Sequence, residues 1–427
     1  MSSHPSMHAS LWHATASPAP KTAPLDGDRK VDVAIVGGGF TGCSAALHLA
    51  EQGVKTIVLE AQDIGWGGSG RNAGLVNAGL WLDPDDVVKT IGADYGERLM
   101  AALSKGPALV SEMIAKHGIQ CDDVRKGVIK AGHSPSGMKH LEEHARQWTS
   151  RGANIETIDR ARIAELTGTD HYVGGIIDHR SYYIQPLSYA RGLATAAVKA
   201  GAAIHDNTRV AALEGANGGW RLKTAKGTVT ADKVIVATNA YSDDLWPGMK
   251  QEIIPVGCYA YATEPLSENV RKTILPGLHP IYDTQPAMVF TRYDRDHRLI
   301  VGSLGYLPPD DPERMRAWPH RTLRYLFPHL GEQKMSFKWA GTLGFTSDAI
   351  PRFHEPAPGI SMTLGYNGRG IAPGTYWGQM LAKRAMGMPA SEFPLPVTPI
   401  KPARMRGLWA FFYESAFSAY RLKSLFK

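Results

Sequence analysis

Four residues set the chemistry open to this chain: Gly37, Gly39, Gly42 and Glu60. The glycines stand in Gly37-Gly38-Gly39-Phe40-Thr41-Gly42, between an apolar, β-branched run at 31–36 and a helix-period stretch at 43–52. Gly37 allows a tight turn, Gly39 lets backbone approach a pyrophosphate, and Gly42 lets helix and strand pack closely. The helix N-terminus adds free N–H groups and a positive dipole end. Gly53 stops the helix, a second strand fills 54–59, and Glu60 stands where it can accept hydrogen bonds from a ribose diol. An acid there, rather than an arginine, argues against a 2′-phosphate. A glycine turn alone says little, but strand, turn, helix and acid in this order point to a bound dinucleotide.

A second glycine-rich stretch, 63–74, follows at once and cannot be a regular element. It suits backbone running close to a flat ligand, with Ser69, Arg71 and Asn72 as its polar side chains. A third glycine cluster, Gly365-Tyr366-Asn367-Gly368-Arg369-Gly370, precedes an expected helix at 374–386. That helix would aim another positive dipole end at a bound group.

The elements that must position these turns follow from periodicity. Helices are expected at 83–116, 141–151, 186–200 and 314–327, and strands at 155–158, 203–205, 234–237, 253–263, 288–292, 299–302 and 360–364. A β-meander is expected at 210–229 and a loop at 308–312. The fold class is therefore α/β.

Composition narrows the class further. At 427 residues, 43% hydrophobic and 20% charged, the chain can build two packed domains. The net charge of +7 is mild and scattered, with no nucleic-acid module. Three cysteines without CxxC spacing suggest a reducing compartment and no disulfide frame. The sixteen histidines are scattered, and metal ligation is not expected. No GxSxG or Cys/His signature supports acyl transfer. No apolar run is long enough to span a bilayer, and residues 1–28 lack the pattern of a secretory signal. They read as a surface arm anchored by Trp12. The expectation is a cytoplasmic protein.

The last 27 residues carry six Lys/Arg against one Glu, and Trp409, Phe412, Tyr413, Ala416, Phe417 and Tyr420 share a helical face. Two readings stay open: a helix packed on its own domain or a partner, and a helix lying at the inner face of a membrane.

Taken together, these segments resemble the D-amino-acid oxidase (DAO) superfamily of FAD enzymes, over roughly residues 31–385. The resemblance rests on the 37–42 turn with Glu60, Gly68-Ser69-Gly70-Arg71-Asn72, the 234–240 strand and turn, Trp339-Ala340-Gly341 with Asp348-Ala349-Ile350-Pro351, and the 365–373 turn. The second of these is similar to the γ-glutamylputrescine oxidase branch, which is itself akin to pipecolate oxidases. It implies a glutathione-reductase-type, Rossmann-like FAD domain assembled from 29–90, 152–250 and 336–390. An antiparallel substrate domain would come from 91–151 and 251–335, flanked by the 1–28 arm and a 391–427 tail.

The resemblance implies non-covalent FAD held by Gly37, Gly39, Phe40, Thr41, Gly42, Glu60, Ser69, Arg71, Asn72, Val210, Ala237, Thr238, Gly368, Gly370 and Ile371. It implies oxidation of a C–N bond to an imine by hydride transfer to the flavin, in a small amine, an imino acid such as pipecolate, or a polyamine conjugate. A non-catalytic FAD-binding subunit is the third reading. Tyr259 and Tyr261 are candidates to line the substrate pocket, with a core role as the alternative. Trp339 either caps the flavin or packs. Arg369 either clamps a carboxylate or meets the flavin. The chain departs from the family in two places. Thr342 stands where carboxylate-binding members often carry arginine, and 299–302 lacks the lysine that some members place over the flavin. Oxygen and a membrane quinone chain both remain as electron acceptors.

Overall fold

A computed structural model describes residues 10–216, 218–305 and 312–423; side chains of 312–317 and 418–423 are excepted. Residues 308–311 of the expected loop and the Tyr420 side chain lie outside that description.

Two large sheets carry the fold. In the first, strands run in the order Arg352–His354, Ile360–Leu364, Thr228–Val236, Arg29–Val36, Thr56–Leu59 and Ala203–His205. The first pairing is antiparallel and the other four are all parallel. Alternation along Arg29–Val36 explains its burial on both sides. Val33 and Ile35 face a core shared with helices Phe40–Ala50, Ala93–His117, Pro186–Lys199 and Ile371–Ala385. Ala34 and Val36 face a second core containing Leu222 and Val229 of the meander. This is the expected dinucleotide-binding architecture.

The second sheet is mostly antiparallel: Met335–Phe345, Ile254–Pro265, Arg298–Leu304, Val289–Tyr293, Ile281–Asp283, Val128–Gly132, Gly174–Asp178 and Ile155–Asp159. One face packs against helices Arg160–Thr167 and Pro312–Leu326. The other, with Ala260, Ala262, Tyr282, Phe290, Ile300 and Trp339, turns towards the glycine loops.

Two segments depart from the expected boundaries. Strands Ile155–Asp159 and Gly174–Asp178 pair in the second sheet, although 152–250 was assigned to the dinucleotide domain. Conversely, helix Ala93–His117 buries Leu99, Leu103 and Val110 in the first sheet's core. The expected 83–116 helix is two helices, broken at Gly92 with φ of 85°. Local periodicity names an element, but its partner is chosen by long-range packing.

The N-terminal arm is more deeply embedded than a surface segment. Leu11 and Trp12 are fully buried, and the Trp12 indole N–H donates to the Asn72 carbonyl at 2.9 Å. Among the described residues, no helix is long and apolar enough to cross a membrane.

Candidate functional site

The glycine turns converge on a cleft of about 330 Å³. Gly37, Gly39, Phe40, Thr41, Glu60, Ser69, Asn72, Val210, Ala237, Thr238, Gly368 and Gly370 all line it. Gly37 takes φ of 107°, which only glycine adopts without strain. A Cβ on Gly39 would come within 2.8 Å of the Ser69 hydroxyl, and one on Gly42 within 1.9 Å of the Gly37 carbonyl. Gly42 therefore serves strand–helix packing rather than the cleft wall. Ile371 likewise lies beneath the cleft, buried as the first residue of its helix.

Glu60 accepts the Gly38 N–H at 2.6 Å and the Gln62 N–H at 2.9 Å, so it fixes the turn as well as lining the cleft. Burial pushes its carboxyl above the ordinary range, and these N–H donors oppose the shift. Ser69 accepts the Phe40 N–H at 3.0 Å, tying the second glycine loop to the first helical turn.

Asn72 departs from its expected role. Its amide donates to the Gly68 and Ser69 carbonyls, and its side-chain oxygen accepts from Gly74 N–H. It shapes the loop with every polar atom and touches the cleft only as lining. Arg71 is the opposite case. Its guanidinium stacks on Trp66 at 4.1 Å and lies near the Tyr241 hydroxyl, but none of its three buried nitrogens completes a hydrogen bond of good geometry among the described residues. Three buried donors without well-placed acceptors are costly unless a ligand supplies them.

A second cavity of about 330 Å³ adjoins the first; Asn72, Leu343 and Gly368 line both. Its walls include Trp81, Met288, Phe290, Leu304 and Phe345, with Arg71, Lys130, His140 and Asp283 among the charged or titratable lining. The four side chains expected to act on substrate fare differently here. Tyr259 and Tyr261 alternate with Ala260, and their rings lie on the far face against Trp318, at 4.8 and 6.1 Å. Tyr259 borders the cavity, but its ring is core. Trp339 is buried edge-on to Trp12 and donates to the Arg71 carbonyl at 3.1 Å. It positions the Arg71 loop and lines neither cavity. Arg369 donates to the Ala78 carbonyl at 2.6 Å and the Tyr282 hydroxyl at 3.3 Å, and it lines neither cavity. The period-2 pattern was correct at Tyr259 and Tyr261. Which face it turned to the ligand needed the second sheet's partners.

Lys130 escaped the sequence reading. It sits mid-strand in Val128–Gly132, a run buried at every position. A lone cation in Val-Ile-Lys-Ala-Gly is the signal that could have found it. The histidine scatter also hid one pair: His140 and His144, a helical turn apart, both approach Asp83, at 3.6 and 2.5 Å. Among the described residues no group of three metal-ligating side chains forms.

A glycine cradle, a dinucleotide-style acid and unpaired Arg71 donors beside an apolar cavity define a flavin-dinucleotide protein. The described residues fit FAD. Residues 32–384 match the family model described as FAD dependent oxidoreductase (DAO), and the chain belongs to that family. It is 33% identical over 370 residues to a probable oxidoreductase, OrdL, of Haemophilus influenzae, covering 85% of each chain. It is 32% identical over 388 residues to the γ-glutamylputrescine oxidoreductase of Escherichia coli, covering 89% of each. Glycine oxidase from Geobacillus kaustophilus superposes with a TM-score of 0.71 at 20% identity, covering 87% of this chain and 99% of that one. The chain is an FAD-dependent oxidoreductase.

Proposed function

We propose that this enzyme oxidises the C–N bond of a small amine or amino/imino acid, such as pipecolate, to an imine that hydrolyses or stays cyclic. The observation that carries this is the second cavity, which adjoins the dinucleotide cleft through Asn72, Leu343 and Gly368. Bound FAD supplies the hydride acceptor; the protein binds, orients and excludes water. Gly37, Gly39 and Glu60 hold the dinucleotide end, and Arg71, beside Asn72, offers its donors in the wall of the second cavity. Trp81, Phe290 and Phe345 give the substrate a low-dielectric, apolar wall. The similarity to a γ-glutamylputrescine oxidoreductase over 89% of both chains favours a second reading, a longer polyamine conjugate.

Anaerobic mixing with pipecolate and, separately, γ-glutamylputrescine tests both readings: the matching substrate bleaches the flavin band. Protein that retains its band with every amine would be the non-catalytic FAD subunit instead. The electron acceptor is oxygen or a membrane quinone, and peroxide release under air separates them. Helix Arg406–Lys423 packs Tyr413 and Phe417 beside Val256 and Phe345 but leaves Leu408, Trp409, Phe411 and Phe412 exposed. That apolar stripe, in a tail rich in Lys and Arg, supports a peripheral contact with an anionic membrane.

A further inference from the structure

We propose that Lys130 is the anion anchor of the substrate cavity, so that the amine oxidised here carries a carboxylate. This deepens the C–N oxidation reading and rests on it. Lys130 is buried, lines the second cavity, and makes no hydrogen bond or ion pair among the described residues. Its one close partner is the Trp81 ring, 5.9 Å from the ammonium nitrogen. Arg369 stacks on the same ring at 4.8 Å. Two cations thus approach one aromatic ring, and Arg71 adds a third at the cavity wall.

Two acids, Asp83 and Asp283, stand near the three cations Lys130, Arg369 and Arg71. Asp83 acts on Lys130 through space, and its hydrogen bond is to His144 at 2.5 Å rather than to the ammonium. Asp283 lines the cavity, yet its carboxylate accepts from Gln285 N–H, the Gln285 amide and Val289 N–H. It also lies one residue out of phase with Lys130: Tyr282, not Asp283, is the residue opposite Lys130 in the parallel pair. An unpaired buried ammonium is costly, and a cavity with surplus positive charge selects an anion. A compact ammonium on a flexible stem meets one carboxylate oxygen well. The other candidate clamp, Arg369, donates to Ala78 and Tyr282 and does not line the cavity.

Charge state supports this placement. Burial and the Arg369 charge bring the Lys130 ammonium down to about 7, against an opposing effect of Asp83. Other titratable groups facing it are His140 and His144 from helix Pro135–Thr149 and the Tyr282 phenol from the neighbouring strand. Burial brings His144 down to about 4 and raises Tyr282, so both are neutral at pH 7. A bound carboxylate would restore the ammonium, so binding takes up a proton above pH 7.

The test uses FAD-loaded protein and straight-chain monocarboxylates from acetate to hexanoate, each against its primary amide. Binding is read as a shift of the flavin absorbance. The expected result is that at least one carboxylate binds and its amide does not. Its affinity should fall about tenfold per pH unit above 7. Lys130→Met should weaken it by 30-fold or more, and Lys130→Arg should restore most of it. Lys130→Met should melt no lower than the parent, because it removes a buried unpaired charge; a merely structural lysine would lower the melting temperature. Equal binding by acid and amide, no carboxylate binding in the parent, or unchanged affinity in Lys130→Met overturns the proposal. So does an equal loss of kcat with uncharged amines in Lys130→Met, which would make Lys130 a proton carrier. Carboxylate binding through Lys130 without flavin reduction by any amine would uphold the anchor and contradict C–N oxidation. Flavin reduction by a carboxylate-bearing amine that is unchanged in Lys130→Met would do the reverse.

Discussion

Lys130 and Arg71 are both buried cations with no ion-pair partner among the described residues, yet they affect stability and function differently. A lysine whose folded titration point is lowered to about 7 releases its proton on folding at any pH between that value and its ordinary 10.5. The unfolded chain then binds more protons, so stability rises with pH through that window. Below pH 7 the full cost is present, a few kcal/mol at most on the order of 1.4 per unit. Lys130→Met should therefore melt higher than the parent at pH 6, and the gap should close towards pH 10. Thermal melts at the two values check this. Arg71→Ala should leave folding nearly unchanged and release FAD, losing about 2 kcal/mol of flavin affinity or more. Flavin retained through gel filtration by Arg71→Ala would contradict the role given to its unpaired nitrogens. For Gly42→Ala, a Cβ 1.9 Å from the Gly37 carbonyl must move the turn, at about 1–3 kcal/mol. Far-UV melts and flavin content should fall together.

At the scale of elements, the site depends on segments distant in sequence. Trp12 pins Asn72, Trp339 pins Arg71, and Ser69 pins the helix start at Phe40. Trp12→Ala should cost about 3–5 kcal/mol and lower flavin occupancy by loosening the 68–74 loop; occupancy unchanged in a destabilised variant would separate the two effects. The glycine turns, Glu60 and the flanking strands were legible in the sequence, because each residue type there answers a local backbone demand. The roles of Asn72, Trp339 and Arg369 were not. An asparagine in a glycine loop satisfies its neighbours or a ligand equally well, and only the positions of the Gly68 and Ser69 carbonyls decide. Tyr259 and Tyr261 showed a strand but not which face meets the cavity, since period-2 alternation is symmetric until a partner layer is known. Lys130 was legible in principle, as a charge inside a strand buried throughout. Helix Arg406–Lys423 keeps one stripe packed and another bare. Removal of 406–427 should leave flavin content intact and abolish co-flotation with anionic vesicles; flotation retained would place the membrane contact elsewhere.

For the whole molecule, the parallel sheet holds the dinucleotide and the antiparallel sheet roofs a second cavity. The two are joined where Asn72, Leu343 and Gly368 line both spaces. That arrangement would let a substrate in the second cavity meet the flavin, and it is why the chain reads as an amine-oxidising flavoenzyme rather than a carrier of FAD. The most direct test is the visible spectrum of the purified protein, mixed without oxygen with pipecolate or γ-glutamylputrescine. The account predicts a flavin band that bleaches with a carboxylate-bearing amine. A band that stays oxidised with every such amine would contradict it.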